Sequence, residues 1–167
     1  MSSNYTVAAI DCGTNSIRLL IASAGPDGRL VEQARDLELV RLGQGVDATG
    51  SFHPDALERT FSACRTFAKT ISDHHCDQVR FVSTSAARDV SNRDDFFTGV
   101  RDALDVDAEI IDGTEEASLS FAGAMSGVQV TDEPVLVIDC GGGSTELVLG
   151  YGTTIDSQAS LEVGSVR

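Results

Sequence analysis

The sequence predicts an α/β fold. Two observations carry that prediction: short apolar runs alternate with longer amphipathic stretches, and one strand–turn–strand segment occurs twice. Residues 5–11 form an apolar run ending in Asp-Cys-Gly, and 16–24 and 29–41 follow as further strands, with a Gly-Pro-Asp-Gly turn at 25–28. These three strands read as a meander. A Gly- and Asp-rich loop at 43–50 leads to Pro54, placed where a helix would start. From 55 to 72 apolar residues recur at helical spacing, at Leu57, Phe61, Cys64, Phe67 and Ile71. A strand at 79–83, a helix at 94–104, a strand at 108–111 and a helix at 114–126 complete the first set. After a joint at 131–134, strands are expected at 135–139, 145–150 and 153–163.

The order is β-β-β-α-β-α-β-α, then β-β-β, and the second triplet opens like the first. IDCGTNSIRLLIA at 10–22 aligns without a gap on IDCGGGSTELVLG at 138–150, with six of 13 positions identical and an offset of 128 residues. That offset is too long for a solenoid repeat. It fits a duplicated domain, with domain I over 1–128 and an incomplete start of domain II over 129–167.

Composition narrows the function. The net charge is −14, so a polyanion is repelled by the surface as a whole and must be held locally by amides, arginines or a metal ion. Eleven of the 12 basic residues are Arg, the better bidentate phosphate ligand, although base composition of the gene explains most of them more simply. Aromatics are 5% of the chain and Trp is absent, which argues against base stacking and hence against nucleic acid as a partner. The four cysteines form no Cys-x-x-Cys pair. No leader and no 18-residue apolar run is present, so a cytoplasmic, non-membrane protein with reduced thiols is expected.

Each copy of the repeat is an apolar strand, an Asp, a Gly-rich turn and a Ser that opens the next strand. Such a turn lets backbone N–H groups close around anionic oxygens, and Ser adds a donor. An Asp at the strand end finds a natural partner in a divalent cation, and Mg²⁺ favours one or two carboxylates plus phosphates and water. A single copy would read as a plain hairpin; two copies with matched Asp, Gly and Ser do not. A P-loop is excluded because no G-x-x-x-x-G-K-[ST] occurs, and the dinucleotide-binding G-x-G-x-x-G is absent.

Asp-x-Gly-[ST] hairpins in two related domains resemble the actin, sugar kinase and heat-shock chaperone superfamily, with its ribonuclease H-like domains. More specifically, the chain resembles the exopolyphosphatase / guanosine pentaphosphate phosphatase (Ppx/GppA) family. The matching segments are AAIDCGTNSIRLLIA, RLGQG at 41–45, VSTSAARDVSN at 82–92, DGTEEASLSFAGA at 112–124, VIDCGGGSTELVLG at 137–150 and SLEVGSVR at 160–167. The resemblance implies a mixed-sheet ribonuclease H-like, actin-like ATPase domain plus the first strands of a second. It implies a phosphoanhydride hydrolase acting on inorganic polyphosphate or guanosine pentaphosphate, with Mg²⁺ or Mn²⁺. Oligomeric state is left open, and a homodimer is compatible with it.

From the residues alone, Glu116 is an ordinary acid in the first turn of a helix capped by Asp112 or Thr114, favoured by the helix dipole. The resemblance makes it the general base. Glu116, Ser120, Gly123 and Gly127 share a face of small residues, with Ala117, Phe121, Ala124 and Met125 expected toward the core. The resemblance implies metal or metal-water binding for Asp139 and Glu146, with Asp11 as the matching carboxylate of the first loop. Arg18 stands where the second copy has Glu146; a surface strand residue and a phosphate ligand are equal readings of it. Arg88 is a phosphate ligand by resemblance, against a helix-start Arg paired to Asp89 or Asp94, and Arg41 is a weaker candidate of the same kind. The phosphate-binding set is completed by Gly13, Thr14, Asn15 and Ser16 in the first loop and Gly141, Gly142, Gly143 and Ser144 in the second. The run His74-His75-Cys76-Asp77 reads as a helix end and not as a metal site. Cys12 and Cys140 are expected as small packing residues, not as a disulfide.

The expected chemistry is in-line attack of water on a terminal phosphoryl group, resting on positioning and charge neutralisation. A sugar kinase is disfavoured by the short offset, and an actin-like ATP-driven scaffold needs an adenosine pocket that these residues do not supply. Because the second copy lacks helices to cover its sheet, the 167-residue chain alone is expected to be poorly active and prone to aggregation.

Overall fold

The computed structural model describes residues 5–26, 28–88, 90–128 and 133–166. Asp27 of the expected turn, Asp89, residues 131 and 132 of the expected joint, and Arg167 lie outside the described residues. The chain divides into two compact units, Met1–Ile110 and Ile111–Arg167.

The first unit holds β1 (Thr6–Cys12), β2 (Ser16–Ala24), β3 (Leu30–Leu39), α1 (Val46–Thr49), α2 (Pro54–Asp73), β4 (Gln78–Ser83), α3 (Ser85–Arg88), α4 (Arg93–Leu104) and β5 (Ala108–Ile110). Its sheet runs β3-β2-β1-β4-β5. The first three strands are the antiparallel meander expected, and β4 and β5 join parallel to β1, which gives a mixed sheet. Alternation along β1 and β2 sends Ala8, Ile10, Cys12, Ile17, Leu19 and Ile21 into the core with residues of α2 and α4, and the two helices also pack on each other. His53 caps α2, its Nδ1 accepting the Asp55 N–H at 3.2 Å, and Pro54 opens the helix.

Two short helices stand where the sequence reads as loop or strand end. α1 is a single turn inside the Gly- and Asp-rich loop, bracketed by Gly45 and Gly50 in the left-handed region. α3 follows β4 directly and carries Arg88.

The second unit holds α5 (Gly113–Ser126), β6 (Val135–Cys140), β7 (Thr145–Tyr151) and β8 (Thr154–Leu161), with the sheet in the order β6-β7-β8. Asp112, not Thr114, caps α5: its Oδ1 accepts the Glu115 N–H at 2.8 Å. The repeat boundary expected at 128/129 leaves α5 with the first copy; in the structure α5 packs on β6, β7 and β8 through Ala117, Phe121 and Met125. Ala124, expected toward the core, is exposed, because one residue before Met125 the helix turns its side chain out of the stripe.

The repeat extends to irregularities. The β2–β3 ladder shifts register between Ile21 and Ala22, and the β7–β8 ladder shifts between Leu149 and Gly150, the same place in the alignment. Burial does not follow the repeat. Ile10 is 1% exposed and its counterpart Ile138 is 60% exposed; Leu136 is 57% exposed against 2% for Ala8. The face that forms the core of the first unit is bare in the second. No helix among the described residues is long and apolar enough to cross a membrane.

Candidate active site

The two Gly-rich loops close in the same way. The Gly13 N–H donates to the Ser16 carbonyl at 3.0 Å, and the Gly141 N–H donates to the Ser144 carbonyl at 2.9 Å. Each loop is also held from behind. In the first, the Val40 and Arg41 amides donate to the Asn15 carbonyl and the Gly43 amide to the Thr14 carbonyl. In the second, the Ser165 and Val166 amides donate to the Gly141 and Gly142 carbonyls. A peptide unit is planar and trans, so its N–H points opposite to its C=O. Pinning these carbonyls therefore aims the N–H groups of Asn15 and Ser16, and of Gly142 and Gly143, away from the bracing segment. The Gly13 amide is used inside its own turn. RLGQG and residues 164–166 thus brace the two loops in a related way, with carbonyls one position apart in the repeat. Their glycines have a steric reason: a Cβ at Gly43 would collide with the Thr14 side chain, and one at Gly164 with the Gly142 backbone.

In the first unit, β1 and β2 place Asp11 directly opposite Arg18, and the two side chains pair at 3.6 Å. Both border an open groove of about 370 Å³ with Ala9, Leu20, Leu37 and Val82 on the face away from α2 and α4. On the other side of the loop, the Thr14 hydroxyl contacts the Ser85 hydroxyl at 3.1 Å, and Ser83 Oγ donates to the Cys12 carbonyl at 3.0 Å. Ser85 opens α3, so Arg88 sits one helical turn from a residue tied to the loop. Arg41 is exposed, and its backbone lies in the left-handed region at φ 50°, a strained conformation accompanied by the hydrogen bond its N–H donates to the Asn15 carbonyl.

The second unit differs at one decisive position. β6 and β7 place Asp139 opposite Glu146, so two carboxylates stand side by side where the first copy has an acid and a base. Glu146 is 1% exposed. Its Oε1 accepts from Ser160 Oγ at 2.9 Å, and Ser160 is its register partner on β8. Asp139 Oδ2 accepts from Ser120 Oγ of α5 at 2.5 Å. Glu116 is half-buried on the same helix, four residues before Ser120 and so on the same side of α5. Two adjacent carboxylates with neutral partners suit a hard divalent cation, which takes one or two carboxylates and completes its shell with water and phosphate. Among the described residues no group of three or more His, Cys, Asp or Glu converges as a metal centre.

Cys12 is fully buried, as expected, but Cys140 is exposed because its side of the second sheet is bare. All four cysteines are free. His74 caps the C-terminus of α2. Sequence reasoning missed the roles of Ser85, Ser120 and Ser160. Only the spacing of Ser120 four residues after Glu116 offered a signal; Ser85 depends on a contact between α3 and a loop 71 residues earlier, and Ser160 on the exact register of the β7–β8 hairpin.

The Ppx/GppA phosphatase family profile matches residues 22–167. The chain is 51% identical over 169 residues to exopolyphosphatase 2 of Mycobacterium tuberculosis, covering 96% of this chain and 53% of that protein. Among solved structures, an exopolyphosphatase-like protein superimposes with a TM-score of 0.92 at 49% identity, over 98% of this chain and 52% of the other. An exopolyphosphatase from Cytophaga hutchinsonii superimposes with a TM-score of 0.89 at 31% identity, over 95% of this chain and 51% of the other. The chain spans about half the length of these relatives. The mixed five-stranded sheet is that of the ribonuclease H-like, actin-like ATPase class to which these neighbours belong. Repeated loops, strand order and sequence together make this chain a member of the Ppx/GppA phosphatase family.

Proposed function

We propose that the chain carries the hydrolytic machinery of an exopolyphosphatase, which releases terminal phosphate from inorganic polyphosphate by in-line attack of water. The observation that carries this reading is the second unit's carboxylate pair, Asp139 beside Glu146, beneath the helix that bears Glu116. Family membership supplies the reaction class.

Asp139 and Glu146 would hold a divalent cation, Mg²⁺ or Mn²⁺, which would neutralise charge on phosphoryl oxygens. Asp11, the matching carboxylate of the first loop, is already paired with Arg18. Glu116 is the general base that takes the proton from the attacking water. The outward amides of Asn15, Ser16, Gly142 and Gly143, with the Ser16 hydroxyl, would offer preset donors to phosphate oxygens. Arg88, Arg18 and Arg41 add positive charge, with the planar fork that suits phosphate. The substrate is held locally in this way although the chain as a whole carries −14.

The test is a substrate panel with the full-length protein: long-chain polyphosphate, guanosine pentaphosphate and ATP. Polyphosphate should be the best phosphate donor. Preferential turnover of ATP would overturn the reading in favour of a kinase or an ATP-driven scaffold. Glu116→Gln should lower phosphate release by about 10²–10⁴-fold while polyphosphate binding is retained. Unchanged turnover in that variant would remove Glu116 from the role of base.

A further inference from the structure

The carboxylate pair is flanked by two hydroxyl groups, those of Ser120 and Ser160. Across the second sheet, Asp139, Glu146 and Ser160 form one row, each opposite the next on β6, β7 and β8. Ser160 Oγ donates to Glu146 at one end of the row. Ser120 Oγ donates to Asp139 from α5 above the other end. The arrangement is hydroxyl, carboxylate, carboxylate, hydroxyl.

The chemistry of these partners is telling. A hydroxyl supplies a hydrogen bond without supplying charge. In the first copy the equivalent Asp11 is matched by a guanidinium, which cancels its charge in place. In the second copy both acids are oriented and their combined negative charge is kept for something else. Each serine occupies one lone-pair direction of its carboxylate. Hydrogen-bond partners of this kind fix the direction of metal-binding groups and tune affinity for the ion.

We infer that Ser120 and Ser160 are positioning residues that hold Asp139 and Glu146 in the orientation a divalent cation needs. This rests on the metal site proposed above. Ser120 has a second consequence. It lies four residues after Glu116 on α5, so its bond to Asp139 also sets the helix that carries the base relative to the carboxylate row. The hydrogen bond therefore fixes the metal-binding carboxylates and the general base as one assembly.

The test measures Mn²⁺ binding to the full-length protein without substrate, by electron paramagnetic resonance or calorimetry. Ser120→Ala and Ser160→Ala should each weaken Mn²⁺ binding by about tenfold. Ser120→Thr and Ser160→Thr, which retain the hydroxyl, should restore most of it. The metal-free melting temperatures of the four variants should stay close to the parent's, so that the affinity change is not a folding change. Wild-type Mn²⁺ affinity in both alanine variants, alongside loss of binding in Asp139→Asn, would overturn the role of the serines and leave the metal site standing. Unchanged Mn²⁺ affinity in Asp139→Asn would overturn the metal site, and the positioning role with it. Weakened binding that threonine fails to rescue would also count against the inference, since the hydroxyl would not be the active feature.

Discussion

Cys12 and Cys140 occupy the same slot in the two repeats and live in opposite surroundings. Burial pushes the Cys12 thiol well above its ordinary value, with the neighbouring Cys64 thiol and the Asp11 carboxylate adding to the rise. Burial also pushes Cys64 up to about 12. A thiol that holds its proton more tightly folded than unfolded stabilises the fold while both states are protonated. The unfolded thiols ionise near 9, so this contribution is complete below pH 9 and is lost at higher pH, for Cys64 as pH rises toward 12. Thermal denaturation should therefore show an alkaline loss of stability that is smaller in Cys64→Ala than in the parent. Under native conditions iodoacetamide should label Cys140 and spare Cys12 and Cys64, as read by mass spectrometry. Labelling of Cys12 at the rate of Cys140 would contradict its burial. The residue scale is also where sequence reading stopped soonest. The pattern Asp, Gly, Ser announced both loops, yet Cys140 looked identical to Cys12, because exposure depends on what covers a strand and not on the strand itself.

At the scale of elements, the hairpin is the unit that was copied, down to its bulge. Gly150 sits at that bulge where the first copy has Ala22. A Cβ at Gly150 would lie 2.5 Å from both the Phe121 ring and the Thr154 carbonyl oxygen. One of these is backbone and cannot swing aside, so the glycine sets how closely α5 approaches the sheet. Gly150→Ala should destabilise the second unit by about 1–3 kcal/mol through overpacking, measured by denaturant titration. A variant as stable as the parent would show that α5 can shift at no cost. Strand and helix order was legible because periodicity of 2 and 3.6 is written in the apolar residues themselves. The packing partner of α5 was not, because a stripe of Ala117, Phe121 and Met125 fits any apolar sheet. The single turns α1 and α3 were missed for a related reason: four residues are too few to show a period, and α3 is fixed by the Thr14–Ser85 contact across the fold.

At the scale of the whole molecule, the second sheet presents Leu136, Ile138 and Leu161 to solvent on one face. In the first unit the counterparts of Leu136 and Ile138, Ala8 and Ile10, lie in the core. An apolar face of this kind favours association with any other apolar surface. Ile138→Glu in the 167-residue chain should lower concentration-dependent self-association, followed by sedimentation or light scattering, and leave the melting temperature nearly unchanged. The same change at Ile10, which is 1% exposed, should prevent folding, because a buried carboxylate without a partner costs several kcal/mol. Equal behaviour of the two variants would mean that the second face is covered after all. The braced loops carry a different consequence. Their carbonyls are committed in advance, so the amides of Asn15, Ser16, Gly142 and Gly143 are already turned outward, and the anion binding proposed for them would require little further ordering of the backbone. A frame that is finished before binding leaves chemical identity to its neighbours. In the proposed reading, one exchange on the second strand, Arg18 in one copy for Glu146 in the other, turns an acid–guanidinium pair into a pair of carboxylates on the same hairpin. Duplication could thus produce two halves with opposite tasks and no redesign of the turn that serves them both.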